Sequence, residues 1–214
     1  MTDELRWVLI DSCGAAATLA VGRGEVVLGS EVVPGREFSA EWPGALRRLL
    51  AEAGWGTDAL QVVGVVHGPG SFTGVRVGLA AAKGLCEALG AKLIAVSRLE
   101  VLAALGVQGA LAVLDAGRDE FYVRDEDEER LVCREALVEQ ARGRDVVSFD
   151  QRVVAVLSAD AVMLVAPGAV AALPLMVRHW RDGLVDDVAA IDANYVRGEH
   201  DIYARKRETA DGAQ

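Results

Sequence analysis

Val62-Val63-Gly64-Val65-Val66-His67-Gly68-Pro69-Gly70-Ser71-Phe72-Thr73-Gly74-Val75-Arg76-Val77-Gly78 is the stretch on which the fold turns. Five apolar residues with no polar alternation read as a strand buried on both faces. A Gly/Pro turn follows, and then a long helical segment, Phe72 to Leu89. Lys92 to Val96 is a second buried strand and Leu99 to Leu105 a short helix, so strands and helices alternate as in an α/β fold. Upstream, Trp7 to Ile10 ends in Asp11 and the turn Ser12-Cys13-Gly14. Ala16 to Val21 and Glu25 to Val33 then flank Gly22-Arg23-Gly24, a hairpin signal. Ser39 to Ala53 reads as a helix with Trp42, Leu46, Leu49, Leu50 and Ala53 on one face.

Downstream the pattern starts again. Ala110 to Leu114 ends in Asp115-Ala116-Gly117, and a strand at Glu120 to Val123 leads to the charged turn Asp125 to Glu129. Strand, aspartate, small turn and strand thus occur twice, at Asp11 and at Asp115, which points to a duplicated lobe. Glu135 to Arg142 and Gly168 to Arg181 read as helices, and Val146 to Phe149 and Val162 to Val165 as strands. The tail from Asp201, with Arg205-Lys206-Arg207, is expected to be exposed.

Composition bounds the function. The chain has 214 residues, 52% hydrophobic and 25% charged, enough to bury a core. With 22 basic against 32 acidic residues the net charge is −10, against a protein whose main task is gripping a phosphate backbone alone. Cys13, Cys86 and Cys133 are too few and too scattered for a disulfide framework, and no Cys/His spacing suits zinc. Met1-Thr2-Asp3-Glu4 is acidic where a secretory leader is basic, and Asp160, Pro167 and Pro174 interrupt the most apolar stretch, Val153 to Val177. A reduced, soluble, cytoplasmic protein is expected.

Candidate chemistry is sparse. A Gly-rich strand-to-helix loop can cradle a phosphate, but this one lacks the Lys-Ser/Thr ending of a P-loop, and Ser71 can simply cap the helix. Gly74, Gly78, Ala82 and Cys86 form a small-residue ridge that lets the backbone approach either its own sheet or a partner helix. Phe72, Val75, Leu79 and Lys83 form a neighbouring stripe, modestly favoured as outward-facing. Asp11 and Asp115, with Gly14 and Gly117, could hold a magnesium–nucleotide complex. Ala15-Ala16-Ala17 replaces the expected threonine and no Gly-Gly pair precedes the late helix, so this site reads as degenerate and no cofactor is expected. Neither His67, His179 and His200 nor any Gly-x-Ser-x-Gly elbow supplies a metal pair or a serine nucleophile.

Gly68-Pro69-Gly70-Ser71-Phe72-Thr73-Gly74-Val75-Arg76-Val77-Gly78, with Ala82-Lys83-Gly84-Leu85, resembles the hallmark of the TsaB (YeaZ) family. Ala95 to Glu100, Leu114 to Tyr122 and Asp192 to Arg197 are similar to further segments of that family. The resemblance implies a two-lobed actin-like, RNase H-like (ASKHA) fold with a short, degenerate second lobe. Residues 1–98 would be the first lobe and 99–214 the second lobe and tail. It implies a non-catalytic subunit that dimerises with TsaD, or with itself, through first-lobe helices. With the ATPase TsaE it would support threonylcarbamoyl transfer to tRNA, touching tRNA only through the complex and no membrane. Trp42, Leu46, Leu49, Phe72, Val75, Arg76, Leu79 and Lys83 are the expected docking face. The family commonly carries a histidine where Phe38 stands. The competing readings are an ATP-dependent phosphotransferase or transferase of the same superfold, and a free-standing tRNA-binding protein.

Overall fold

A computed structural model describes residues 4–157, 162–164 and 168–196. Met1 to Asp3, Asp160, Val165, Pro167, Arg197, His200 and the tail with Arg205 to Arg207 lie outside the described residues.

The first sheet is built from β1 (Arg6–Asp11), β2 (Ala16–Arg23), β3 (Val26–Pro34), β4 (Val62–Val66) and β5 (Lys92–Val96), in the order β3-β2-β1-β4-β5. The first three strands meander antiparallel, and β4 and β5 join parallel to β1. The second is built from β6 (Leu111–Gly117), β7 (Glu120–Asp125), β8 (Glu128–Cys133), β9 (Val146–Ser148) and β10 (Val162–Leu164), in the order β10-β9-β6-β7-β8. Its pairings repeat the same senses strand for strand. The duplication therefore extends beyond the two hairpins to the whole sheet, and the architecture is the two-lobed actin-like, RNase H-like one. The second lobe is short in its elements but complete in its topology.

Helices fill the crossovers in the same way. α1 (Phe38–Ala53) and α2 (Phe72–Leu89) cover one face of the first sheet. α4 (Arg134–Gln140) and α5 (Gln151–Leu157) cover one face of the second. The remaining two helices cross over. α3 (Arg98–Leu105) follows the first sheet in sequence but packs Leu99 and Leu102 on Ala112, Leu114 and Val147 of the second. α6 (Ala169–Arg181) follows the second sheet but sets Ala172, Leu173 and Met176 into the core of the first. Strands β1–β5 precede residue 98 and β6–β10 follow it, yet the packing of these two helices runs across that division.

Burial explains the pattern. Trp7 to Ile10 and Val62 to Val66 sit in central strands with helices on both faces, so they are apolar without alternation. Gly64 is forced: a Cβ there would collide with the Met176 thioether and approach Leu9 to 2.9 Å. β3 is an edge strand with one helix-covered face, and its burial alternates. The charged run read as a turn is only partly one: Glu128 and Glu129 already belong to β8, paired with Asp125 and Arg124 of β7. No helix among the described residues is long and apolar enough to cross a membrane.

Candidate functional site

The turn that ends β1 is sewn to the start of α2. Asp11 Oδ1 accepts the Cys13 amide at 2.9 Å, the Ser12 hydroxyl donates to the Gly74 carbonyl at 2.7 Å, and the Ser71 amide donates to the Cys13 carbonyl at 2.8 Å. Ser71 caps α2, its hydroxyl accepting the Gly74 amide. The small-residue ridge faces this turn: a Cβ at Gly74 would strike the Ser12 carbonyl, and one at Gly78 the Ser12 hydroxyl. The ridge thus belongs to its own lobe and serves no partner helix. Cys13 is inert as a nucleophile, because burial pushes its thiol well above the ordinary range and the Asp11 carboxylate adds to the effect.

The second lobe echoes the arrangement. Asp115 Oδ1 accepts the Gly117 amide at 2.9 Å, Gly117 taking the left-handed backbone (φ 72°) that the turn requires. The Asp115 amide donates to Asp150 Oδ2 at 2.8 Å, and Arg152 Nε approaches the Asp115 carboxylate at 3.5 Å. Between the two turns lies a cleft of about 1100 Å³ lined by Asp11, Gly14 and Asp115 and also by Arg36, Arg98, Tyr122 and Phe149.

The two turns already use part of what a magnesium–nucleotide complex would need. One oxygen of each aspartate is engaged by its own turn, Arg152 lies beside Asp115, and the Arg98 guanidinium stands 3.2 Å from where a Gly14 Cβ would lie. Among the described residues no group of three or more His, Cys, Asp or Glu side chains could hold a metal ion. The two described histidines make structural contacts: His67 Nδ1 lies 3.0 Å from the Asp192 carbonyl and His179 Nε2 lies 2.8 Å from Glu100, linking α6 to α3.

The expected docking face needs correction. Leu46, Leu49 and Val75 are each 3% exposed and Leu79 5%, all within the core of the first lobe. Their periodicity reflects packing on their own sheet, as where the Leu49 side chain fills the space above Gly29 of β3. Trp42 and Lys83 are half-buried, Arg76 is exposed and Phe72 is 49% exposed. The outward surface of α2 is instead an aromatic–cation cluster. The Arg76 guanidinium lies 3.8 Å from the Phe72 ring centre, the Phe72 and Tyr195 rings are 5.7 Å apart, and Arg76 Nε donates to the Tyr195 hydroxyl at 2.5 Å. A small apolar pocket of about 260 Å³ opens beside it, lined by Pro69, Val75, Tyr122 and Asn194. Tyr195 and Arg98 received no role from sequence, although both lie in segments quoted for the family likeness. Phe38, the residue noted above as a departure from the resemblance, is 1% exposed at the start of α1.

Comparison with known proteins adds an independent line. A family model described as "TsaD: tRNA N6-adenosine threonylcarbamoyltransferase" matches residues 31–166. The tRNA threonylcarbamoyladenosine biosynthesis protein TsaB of Bacillus subtilis is 40% identical over 81 residues, 36% of this chain and 35% of that protein. Its Escherichia coli namesake is 34% identical over 126 residues, 55% of this chain and 53% of that one. The chain therefore spans about half or less of the length of the curated relatives it matches. The structure of YeaZ from Pseudomonas aeruginosa is similar with a TM-score of 0.74 and 25% identity, covering 89% of this chain and 99% of that one. With a duplicated sheet, the Gly68–Gly78 loop and these matches all in agreement, the chain belongs to the family of that model and, within it, is a TsaB/YeaZ-family protein.

Proposed function

We propose that this chain takes part in threonylcarbamoyladenosine formation on tRNA as an accessory subunit, and that it works by docking rather than by bond-making. It pairs with a TsaD-like catalytic subunit, and with a second copy of itself when that subunit is absent; a TsaE-like ATPase joins the assembly, and tRNA is met only within it. The observation that carries the reading is the exposed Phe72–Arg76–Tyr195 cluster, set on the helix that begins with the most specific family motif. Half-exposed aromatic rings stacked with arginine are the residue types that anchor interfaces. The docking face is thus proposed to be Phe72, Arg76 and Tyr195, flanked by Lys83 and Trp42, with Val75 and Leu79 as the floor that holds α2 in place.

The test is co-expression with the TsaD-like subunit of the same organism, followed by nucleoside analysis of tRNA. Co-purification is expected, with modification only when both chains are present. Phe72→Ala with Arg76→Glu should weaken co-purification by about tenfold or more while the chain stays folded. Modification by this chain alone, or co-purification indifferent to both substitutions, overturns the reading. The description of the matching family favours a second reading, a transferase in its own right. Calorimetry with ATP and magnesium decides it, since tight binding to the isolated chain would favour the enzyme.

A further inference from the structure

β3 ends the first sheet, and among the described residues nothing pairs with its outer edge. Two other sheet ends are closed. On β5, Leu93 bridges to Asp186, whose carboxylate accepts the Ala95 amide. On β8, Glu128, Glu129 and Arg130 form ion pairs, and charges of this kind deter a further strand. β3 carries the opposite pattern. Leu49 of α1 sits on Gly29, and on the face away from α1 Val26, Leu28 and Val32 are exposed, Val32 to 67%. The Gly35 amide donates to the Ala15 carbonyl of β2, so in this register Gly29, Glu31 and Val33 turn their backbone groups to β2 while Ser30 and Val32 turn theirs outward. Pro34 shares the outward phase, where a missing N–H removes no bond to β2. A bulge at Leu28 adds twist but leaves the alternation of burial intact along the strand.

We infer that β3 is a pairing edge for a second copy of this chain, joining two first sheets antiparallel across a two-fold axis at Ser30. About that residue the strand is self-complementary. Ser30 exchanges two backbone hydrogen bonds with its counterpart, and Leu28 faces Val32 of the second copy on both sides of the axis. Gly29 then falls opposite Glu31 of the second copy. Arg48 of α1 is bonded to Glu31, and the Glu52 carboxylate lies 3.8 Å from where a Gly29 Cβ would stand. The same register therefore sets Arg48 against Glu52 of the second copy, twice. An axis at Glu31 would oppose two carboxylates, and one at Gly29 would set Leu28 against a serine. The inference rests on the self-pairing proposed above and gives it a surface of its own. β2 and β1 separate β3 from β4, which α2 covers, so the Phe72–Arg76–Tyr195 cluster is left to the catalytic subunit.

Sedimentation equilibrium of the full chain tests it, with amide hydrogen exchange read at low and high concentration. A concentration-dependent dimer is expected, in which the Ser30 and Val32 amides exchange about tenfold or more slowly than in the monomer. Ser30→Pro removes an outward N–H and no bond to β2, so it should weaken the dimer about tenfold or more while the chain stays folded, and Val32→Lys should do the same. Glu52→Arg should weaken it several-fold. A monomer at every concentration overturns the inference and the self-pairing with it, but leaves co-purification with the catalytic subunit untouched. A dimer that ignores Ser30→Pro and Val32→Lys, or leaves both amides unprotected, overturns the inference alone; loss of that dimer in Phe72→Ala with Arg76→Glu would move self-pairing to α2. Dimerisation gained only when residues 197–214 are removed would show the chain's own end covering the edge, and also overturns it. The wild-type exchange pattern decides the matter even if a variant fails to fold.

Discussion

The two sheets share one strand order and one set of pairings, yet the helices on their outer faces differ more than twofold in length. α1 and α2 run for 16 and 18 residues, whereas α4 and α5 have seven each. Their edges differ as well. β3 leaves Val26, Leu28 and Val32 exposed, while β8 is guarded by Glu128, Glu129 and Arg130, which pair with one another's neighbours on β7 and beyond. Topology therefore needs only a short, correctly patterned strand, as the three residues of β9 show. Helix length follows a different requirement. The long helices bury a broad apolar face in the larger core and still retain outward surface, and that surface carries the aromatic–cation cluster.

This contrast can be broken most forcefully at Leu79. A glutamate there would bury an unpaired charge under α2 and should cost on the order of 4 kcal/mol, whereas the same change at Val138 on α4, which is 41% exposed, should stay within about 0.5 kcal/mol. Urea unfolding of the two variants measures the difference. Equal effects would mean that the outer helices of both lobes are held alike.

The next effect is electrostatic and confined to the second lobe. Hydrogen bonds from Arg144 hold the Asp125 carboxyl below its ordinary range, with Arg130 adding to the pull. Because the folded-state value is depressed, the pairing stabilises above the unfolded carboxylate value of about 3.9 and is lost as pH falls through the lower folded one. Arg144→Met should thus cost at most about 1 kcal/mol at neutral pH. The urea midpoints of variant and parent should converge in acid, leaving only the loss of the bond from Arg144 to the Gly109 carbonyl. A gap independent of pH would refute the ionic account.

The smallest effect sharpens the reading of the glycines in α2. Gly84 faces open space, so Gly84→Ala should stabilise the isolated chain by about 0.5–1 kcal/mol. Thermal unfolding checks the sign. Gly78→Ala should move the midpoint the other way, since its methyl would meet the Ser12 side chain.

The fold was largely legible because both hairpins announce themselves through an apolar strand closed by an aspartate and small residues. Two elements were not. β8 carries Glu128-Glu129-Arg130, charges that pair across the sheet surface rather than mark a turn. α5 contains Val153, Val154 and Val156 within seven residues, a β-branched run whose helical state is set by its place between β9 and β10. The docking face was half legible. A 3.6-residue period says that Leu46, Leu49 and Leu79 are covered but cannot say by what, and here the cover is their own sheet. Phe72 and Arg76 were legible as candidates, whereas Tyr195 reaches them from a segment more than a hundred positions away, beyond any local pattern. Arg98 shows the same limit, because its place between Gly14 and the Phe149 ring is a property of the cleft and not of its neighbours in sequence.

The exchange of α3 and α6 between the lobes has a consequence for how this polypeptide is made. When β5 leaves the ribosome, the first sheet has its α1–α2 cover but lacks the helix that seals its other face, which arrives only with Ala169–Arg181. At about 5–20 residues per second, the nascent chain spends on the order of several seconds with that side of Trp7 to Ile10 and Val62 to Val66 unsealed. The second sheet has all its helices in hand by then, whereas the first closes only when α6 docks, and a chain cut short before α6 would be a natural client for chaperones.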